Sequence, residues 1–306
     1  MIPVVHSARE LLELELPKRN FLLSPWLPEA SLSMIYAARG VGKSHLALGI
    51  AGAVSGGSDF LGWTCPAPRR VLFVDGEMNR AQLQERVAAL FATSPPDNLS
   101  FLAADLQAED LPCLSTPGGQ SVFRTASKDA DLIVLDNLAT LIRSGDESDV
   151  ELWKKVQAFL ISLRREGKAV LIVHHAGKSG DQRGSSARED VLETVIKLSP
   201  PDDHLPEQGA QFELHFTKNR GFFGQDAAPF EAIFEGGSWK RGPLRASADL
   251  ARMQALKAEG LSQRAIGEAL GVSHATVSRQ LRAADQRTPQ GGQPGADDGV
   301  VHGTSP

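Results

Sequence analysis

The run Ala37-Ala38-Arg39-Gly40-Val41-Gly42-Lys43-Ser44 constrains this chain more than any other. It follows an apolar stretch, Leu32 to Tyr36, and opens into His45-Leu46-Ala47-Leu48-Gly49-Ile50-Ala51, which reads as a helix. Strand, glycine-bearing loop and helix, with Gly-Lys-Ser at the junction, can wrap a polyphosphate. Successive backbone N–H groups turn inward, and the helix N-terminus adds positive potential. Ala38, Arg39, Gly40, Val41, Gly42 and His45 are the expected walls of such a site. Lys43 would reach the β/γ-phosphates, and the Ser44 hydroxyl would hold Mg²⁺. The leading glycine of the pattern is Ala37 here, which is tolerable if its φ is negative.

Downstream, apolar runs alternate with amphipathic ones. Val71-Leu72-Phe73-Val74-Asp75 and Leu132-Ile133-Val134-Leu135-Asp136 are continuous apolar strands of the kind buried on both faces of a parallel sheet. Ala169 to Val173 is a third, ending in His174-His175. Helices are expected near Arg80–Phe91, with Leu83, Val87 and Leu90 as plain core contacts, and over Val150–Arg165. Residues 94–117 read as a connecting region with one brief strand. Val191–Leu198, Phe212–Phe216 and Phe230–Phe234 read as antiparallel strands extending one sheet edge. Near the start, Ala8–Leu16 reads as a helix, and Trp26 is expected to be packed. The β-then-α rhythm predicts an α/β doubly wound fold with a mostly parallel central sheet.

Ligands of such sheets bind at the carboxyl ends of the strands. Glu77, Asp136 and His174 or His175 stand there, each just after an apolar run. Asp136 fits the Mg²⁺-holding role. Glu77 is the candidate general base for an attacking water, or alternatively a residue of the following helix N-terminus. The two histidines have no further ligands spaced for a metal. One of them would sense the γ-phosphate, since alternation lets only one face the nucleotide.

Taken together, Ala37–Ser44, Val74–Glu77, Leu132–Asp136, His174–His175 and Arg183-Gly184-Ser185-Ser186 resemble the RecA-like P-loop ATPases of the plasmid RepA type, over roughly Asn20 to Trp239. The resemblance implies a RecA-type core, Mg-ATP hydrolysis with Glu77 as base, kinship with replicative helicases, and frequently a hexameric ring. It also implies that Lys218 and Arg220, in Thr217-Lys218-Asn219-Arg220-Gly221, reach across a subunit boundary to a neighbour's γ-phosphate. The other reading of that pair is a solvated hairpin end. The loop from Ala176 to Asp190, with Lys178 and Arg183, is the one suitably charged to approach DNA. The segment 143–150 is acidic, carrying Asp146, Glu147 and Asp149, which disfavours contact with DNA phosphates.

Across 306 residues the net charge is −5, which does not announce nucleic-acid binding. The average conceals an asymmetry: Arg245 to Arg287 holds seven basic and four acidic residues. Within it, Asp249–Glu259, a second helix from Ser262 to Leu270, the turn Gly271-Val272 and a third helix capped by Ser273 make a helix-turn-helix pattern, similar to resolvase and regulator modules. His274, Thr276, Ser278 and Arg279 would enter the major groove. The boundaries are expected at 1–24 for an N-terminal segment, 25–243 for the ATPase domain, 244–287 for the DNA-binding module and 288–306 for a Gly/Pro/Gln-rich disordered tail. Two cysteines, Cys65 and Cys113, make no framework, and no apolar run approaches the roughly 20 residues that span a bilayer. A cytoplasmic protein is expected, with ATP and Mg²⁺ as cofactors and DNA and copies of itself as partners. A nucleotide-gated regulator that does not unwind DNA is the alternative. A P-loop kinase is less favoured, since neither a lid-like arginine cluster nor an acceptor site is evident.

Overall fold

A computed structural model describes residues 3–16, 19–92, 94–142, 149–176, 189–201 and 209–287. Two units are distinguished, Met1–Pro243 and Leu244–Pro306. The first begins with a short exposed helix, α1 (Ala8–Glu13), closed by a reciprocal Ser7–Glu10 capping box. A small ribbon, β1 (Phe21–Leu23) and β2 (Leu27–Pro28), leads into β3 (Leu32–Ala37) and α2 (Lys43–Gly56). There follow β4 (Val71–Asp75), α3 (Arg80–Phe91), β5 (Leu99–Ala103), α4 (Pro117–Ala126), β6 (Leu132–Asp136), α5 (Leu138–Leu141), α6 (Asp149–Arg165) and β7 (Ala169–His175). The unit closes with β8 (Thr194–Ser199), β9 (Gln211–Asn219), β10 (Phe230–Glu235) and β11 (Ser238–Gly242).

All but the first two strands join one sheet in the order β11-β10-β9-β8-β3-β7-β6-β4-β5. The six strands from β8 to β5 are mutually parallel. The other three are antiparallel and extend the β8 edge. One expectation needs correcting: the strand at 191–198 is not part of the antiparallel extension but pairs parallel to β3, with Ser33 opposite Thr194. The link from His175 to Thr194 is long enough for the crossover that a parallel neighbour requires. Several elements were not expected: the β1–β2 ribbon, α4, α5 and β11. Thr116 caps α4 by accepting from the Gly119 N–H, with Pro117 in the first helical turn.

The apolar runs are strands because both of their faces are covered. Ile35, Phe73, Val134 and Val173 pack on the α2 side, and Met34, Val74, Leu135 and Ile172 on the α6 side. Trp26 is fully buried and stacks against Trp63, with ring centroids 5.1 Å apart. Because side chains alternate along a strand, this partition fixes what happens at the strand ends. Ala37, Asp75, Asp136 and His175 fall in register with the α2-facing set, and His174 falls with the α6-facing set.

The second unit is three helices, α7 (Arg245–Ala258), α8 (Gln263–Leu270) and α9 (His274–Arg287), around Met253, Ile266, Val277 and Leu281. Ser262 caps α8, accepting from the Ala265 N–H at 3.2 Å, and Gly271 ends it at a left-handed φ of 67°. A Cβ at Gly267 would lie 2.7 Å from the Val272 carbonyl oxygen, so only glycine lets the turn fold back on α8. Ser273 accepts from the Thr276 N–H at the start of α9. His274 and Arg279 are exposed, and Thr276 and Ser278 are half-buried.

Candidate nucleotide site

The loop between β3 and α2 turns through Gly40 and Gly42, at φ 82° and 109°, both left-handed values that favour glycine. Gly42 also lies where a Cβ would come 2.8 Å from the Ala210 Cβ. Ala37 ends β3 and is not among the non-glycine residues with positive φ, so its methyl group is accommodated. Lys43 is buried, and its Nζ donates to the carbonyls of Ala37 (3.1 Å) and Ala38 (2.7 Å), folding back across its own loop. Burial pulls its pKa down to about 8, against the pull of Asp136 and Glu77.

A cavity of about 710 Å³ opens over this loop, within the range of small-molecule sites. Lys43 and Ser44 line it, together with Glu77, Asp136 and His175 from three other strand ends. Asp136 is the most confined. Burial raises its pKa to about 6, opposed by a hydrogen bond from the Ser44 hydroxyl and reinforced by the nearby Asp75 and Glu77 carboxylates. Its Oδ2 is buried with no hydrogen-bond partner. A hydroxyl and an under-coordinated carboxylate side by side are the hard oxygen donors that fit Mg²⁺, which keeps most of its waters and takes few protein ligands. Among the described residues, no group of three or more His, Cys, Asp or Glu forms a denser metal cluster.

Asp75 is a different case. It is buried at the end of β4, and its Oδ1 accepts from the backbone N–H groups of Glu77 (3.2 Å) and Met78 (2.8 Å). It builds the turn that presents Glu77. Close packing helps: a Cβ at Gly76 would meet the Thr140 hydroxyl at 2.5 Å. The Glu77 carboxylate then hydrogen-bonds the Asn137 side-chain amide and lies 3.5 Å from His175 Nε2. His175 is held toward its neutral form, chiefly by burial and then by the Lys43 charge.

Of the histidine pair, His175 lines the cavity, whereas His174 is buried on the α6-facing register of β7. His174 as a nucleotide-contacting residue is therefore corrected, and the reason is strand alternation. Lys218 and Arg220 do not line the cavity either. Asn219 pairs with Thr194, and Thr194 with Ser33, which puts this segment at the amino end of β3, opposite the phosphate loop. There Lys218 donates to the Glu189 carbonyl and Arg220 to that of Asp190. Within one chain they cannot touch the nucleotide. Lys178 and Arg183, and the acidic residues 146–147, lie outside the described residues.

Several cavity residues carried no signal of their own. The α3 helix was expected to be core alone, yet Gln82 and Arg86, one turn apart on it, line the site. The partner of His45, itself an expected wall, is Phe234 from β10, with tilted rings whose centroids are 5.6 Å apart, and burial with the Arg86 charge lowers the His45 pKa to about 4. Asn137 followed a recognised aspartate, which is the only hint the sequence offered.

Fold and site together define a RecA-like P-loop ATPase. The chain belongs to the AAA domain family, which matches residues 4–181, and residues 249–284 match a helix-turn-helix domain. It is 26% identical over 265 residues to the DNA repair protein RadA of Campylobacter jejuni. That alignment covers 84% of this chain and 51% of RadA, so the chain spans about half the length of that relative. A KaiC-like protein of Pyrococcus horikoshii shares the fold, with a TM-score of 0.53 and 14% identity over 72% of this chain and 94% of that one. Among the described residues, no helix is long and apolar enough to cross a membrane.

Proposed function

We propose that this chain hydrolyses ATP in a DNA-associated, RepA-like assembly. The observation that carries the reading is the single cavity shared by Lys43, Ser44, Glu77, Asp136 and His175. In it, the loop N–H groups and Lys43 bind the β- and γ-phosphates. Ser44 and Asp136 would hold Mg²⁺, which would supply charge neutralisation at the phosphates. Glu77, half-exposed, orients a water for in-line attack and takes its proton. His175, neutral, sits where the terminal phosphate ends.

Lys218 and Arg220 are assigned to a neighbouring copy's site, as a finger supplied in trans. Such a group is worth on the order of 10³–10⁵ in rate. The assembly is then a homo-oligomer in the form of a ring, in the resembling family often a hexamer. Residues 244–287 form the DNA-binding module, with His274, Thr276, Ser278 and Arg279 toward the major groove and Lys178 and Arg183 as further phosphate contacts. RadA's named role in DNA repair is in keeping with an ATPase that works on DNA.

A second reading is favoured by the acidic run Asp146, Glu147 and Asp149, which is ill suited to a strand passing through a ring. There the protein is a nucleotide-gated regulator that binds duplex without unwinding it. ATP turnover measured with and without single- and double-stranded DNA, beside strand displacement, separates them. DNA-stimulated turnover with displacement supports the helicase-like reading. Turnover without displacement supports the regulator, and no turnover removes both.

A further inference from the structure

Asn137 sits between β6 and α5 and is almost fully buried. Its side-chain amide has two ends, and the fold decides which way round they lie. The Oδ1 caps α5, accepting from the N–H groups of Ala139 (2.9 Å) and Thr140 (3.3 Å). The acceptor end is thereby occupied by backbone donors, and a flipped amide would set NH₂ against N–H. What remains is the Nδ2, which donates to the Glu77 carboxylate and lies 3.1 Å from His175 Nε2.

An amide nitrogen has two protons and no acceptor capacity. With one proton on Glu77, the other is directed at His175 Nε2, which accepts it in the tautomer that carries the ring hydrogen on Nδ1. The direct His175–Glu77 separation, 3.5 Å, is at the long, weak end for a hydrogen bond. The two groups are thus joined chiefly through one shared amide, itself locked by a helix cap.

We propose that Asn137 is a positioning residue that fixes the Glu77 carboxylate and the His175 ring as one unit for hydrolysis. The inference rests on the reading of Glu77 as the base and adds what sets its orientation. A neutral amide is suited to the task because it donates to both groups without adding charge. Aspartate of the same shape would keep the cap but set a second carboxylate against Glu77, and serine would keep a cap acceptor with no donor long enough to reach either partner.

The test uses the full chain with Asn137→Ser and Glu77→Gln, reading kcat, ATP Kd and thermal midpoint. Expected for Asn137→Ser is a kcat lowered on the order of 10²-fold, as for a misplaced reacting group, with Kd and midpoint close to wild type. A residue that only caps α5 would leave kcat near wild type in this variant, because serine keeps the cap acceptor. Wild-type kcat in Asn137→Ser overturns the inference, as does a kcat loss matched by equal losses in midpoint and Kd. Full turnover in Glu77→Gln overturns instead the reading beneath it.

Discussion

The nucleotide site and the C-terminal three-helix unit make opposite use of the same residue types. At the site, ionisable groups are buried against their own preference: Lys43 is pulled down to about 8, Asp136 raised to about 6 and His45 lowered to about 4. In the C-terminal unit the charged groups stay in water. Its Arg264–Glu268 pair is 85% and 72% exposed and adds little to stability. Its fully buried side chains are few, led by Met253, Ile266, Val277 and Leu281. One region holds unfavourable electrostatics that a ligand can relieve, over a core large enough to carry the cost. The other keeps its polar face for a partner and has a thin apolar margin. Substitutions should therefore separate activity from stability in the first region and join them in the second.

The largest effect expected is on turnover. Lys43→Ala and Glu77→Gln should each lower kcat by about 10²–10⁴-fold. Glu77→Gln should still bind ATP, because the proposed mechanism gives the glutamate to the water and not to the phosphates. Near-normal hydrolysis in either variant would erase the contrast at its strongest point. Second in size is Ile266→Ala, fully buried in the small unit and expected to cost about 2–5 kcal/mol. Amide exchange should quicken across α7–α9 while the sheet stays protected and ATP turnover persists. Unchanged exchange would show that the margin is not thin.

Much of this site was legible because strand ends report themselves: an apolar run stops and a charged residue follows. Glu77 and Asp136 are of that kind, and Lys43 and Ser44 were marked by the glycine-bearing loop before them. The choice between His174 and His175 needed the parity of β7 against its neighbours, which becomes visible once the packed faces are known. Arg86, Gln82 and Phe234 reach the cavity from elements whose own patterns say only helix or strand. Asn137 is harder still, since its role depends on a helix cap turning its amide the right way round. The direction of β8 was misread from its alternation, although the length of the preceding link already allowed a crossover.

Third comes Asp136→Asn, which should raise stability while abolishing metal-dependent hydrolysis. A carboxyl whose folded pKa is raised favours its protonated form in the fold. Its penalty is therefore fully present above about pH 6 and disappears as the pH falls below its ordinary value of 3.8. At pH 7.5 without Mg²⁺ the asparagine variant should gain about 2–3 kcal/mol, shrinking toward nothing near pH 4. Adding Mg²⁺ with nucleotide should stabilise the wild type and not the variant. A variant less stable than wild type at pH 7.5 would mean that the buried carboxylate is not under strain.

The smallest effect lies at His45 and sharpens the same contrast from the basic side. A histidine with a lowered folded pKa costs stability only where it must be protonated on unfolding, so the penalty is absent above its ordinary value of 6.5 and grows as the pH falls toward about 4. His45→Phe keeps a ring against Phe234 and removes the titration. At pH 5.5, without nucleotide, it should be more stable than wild type by up to about 1 kcal/mol, discounted for its partial exposure. At pH 7.5 the two should melt together. A gain that persists at pH 7.5 would assign the change to ring packing, and then the burial of charge would be confined to Lys43 and Asp136, the two groups nearest the phosphates.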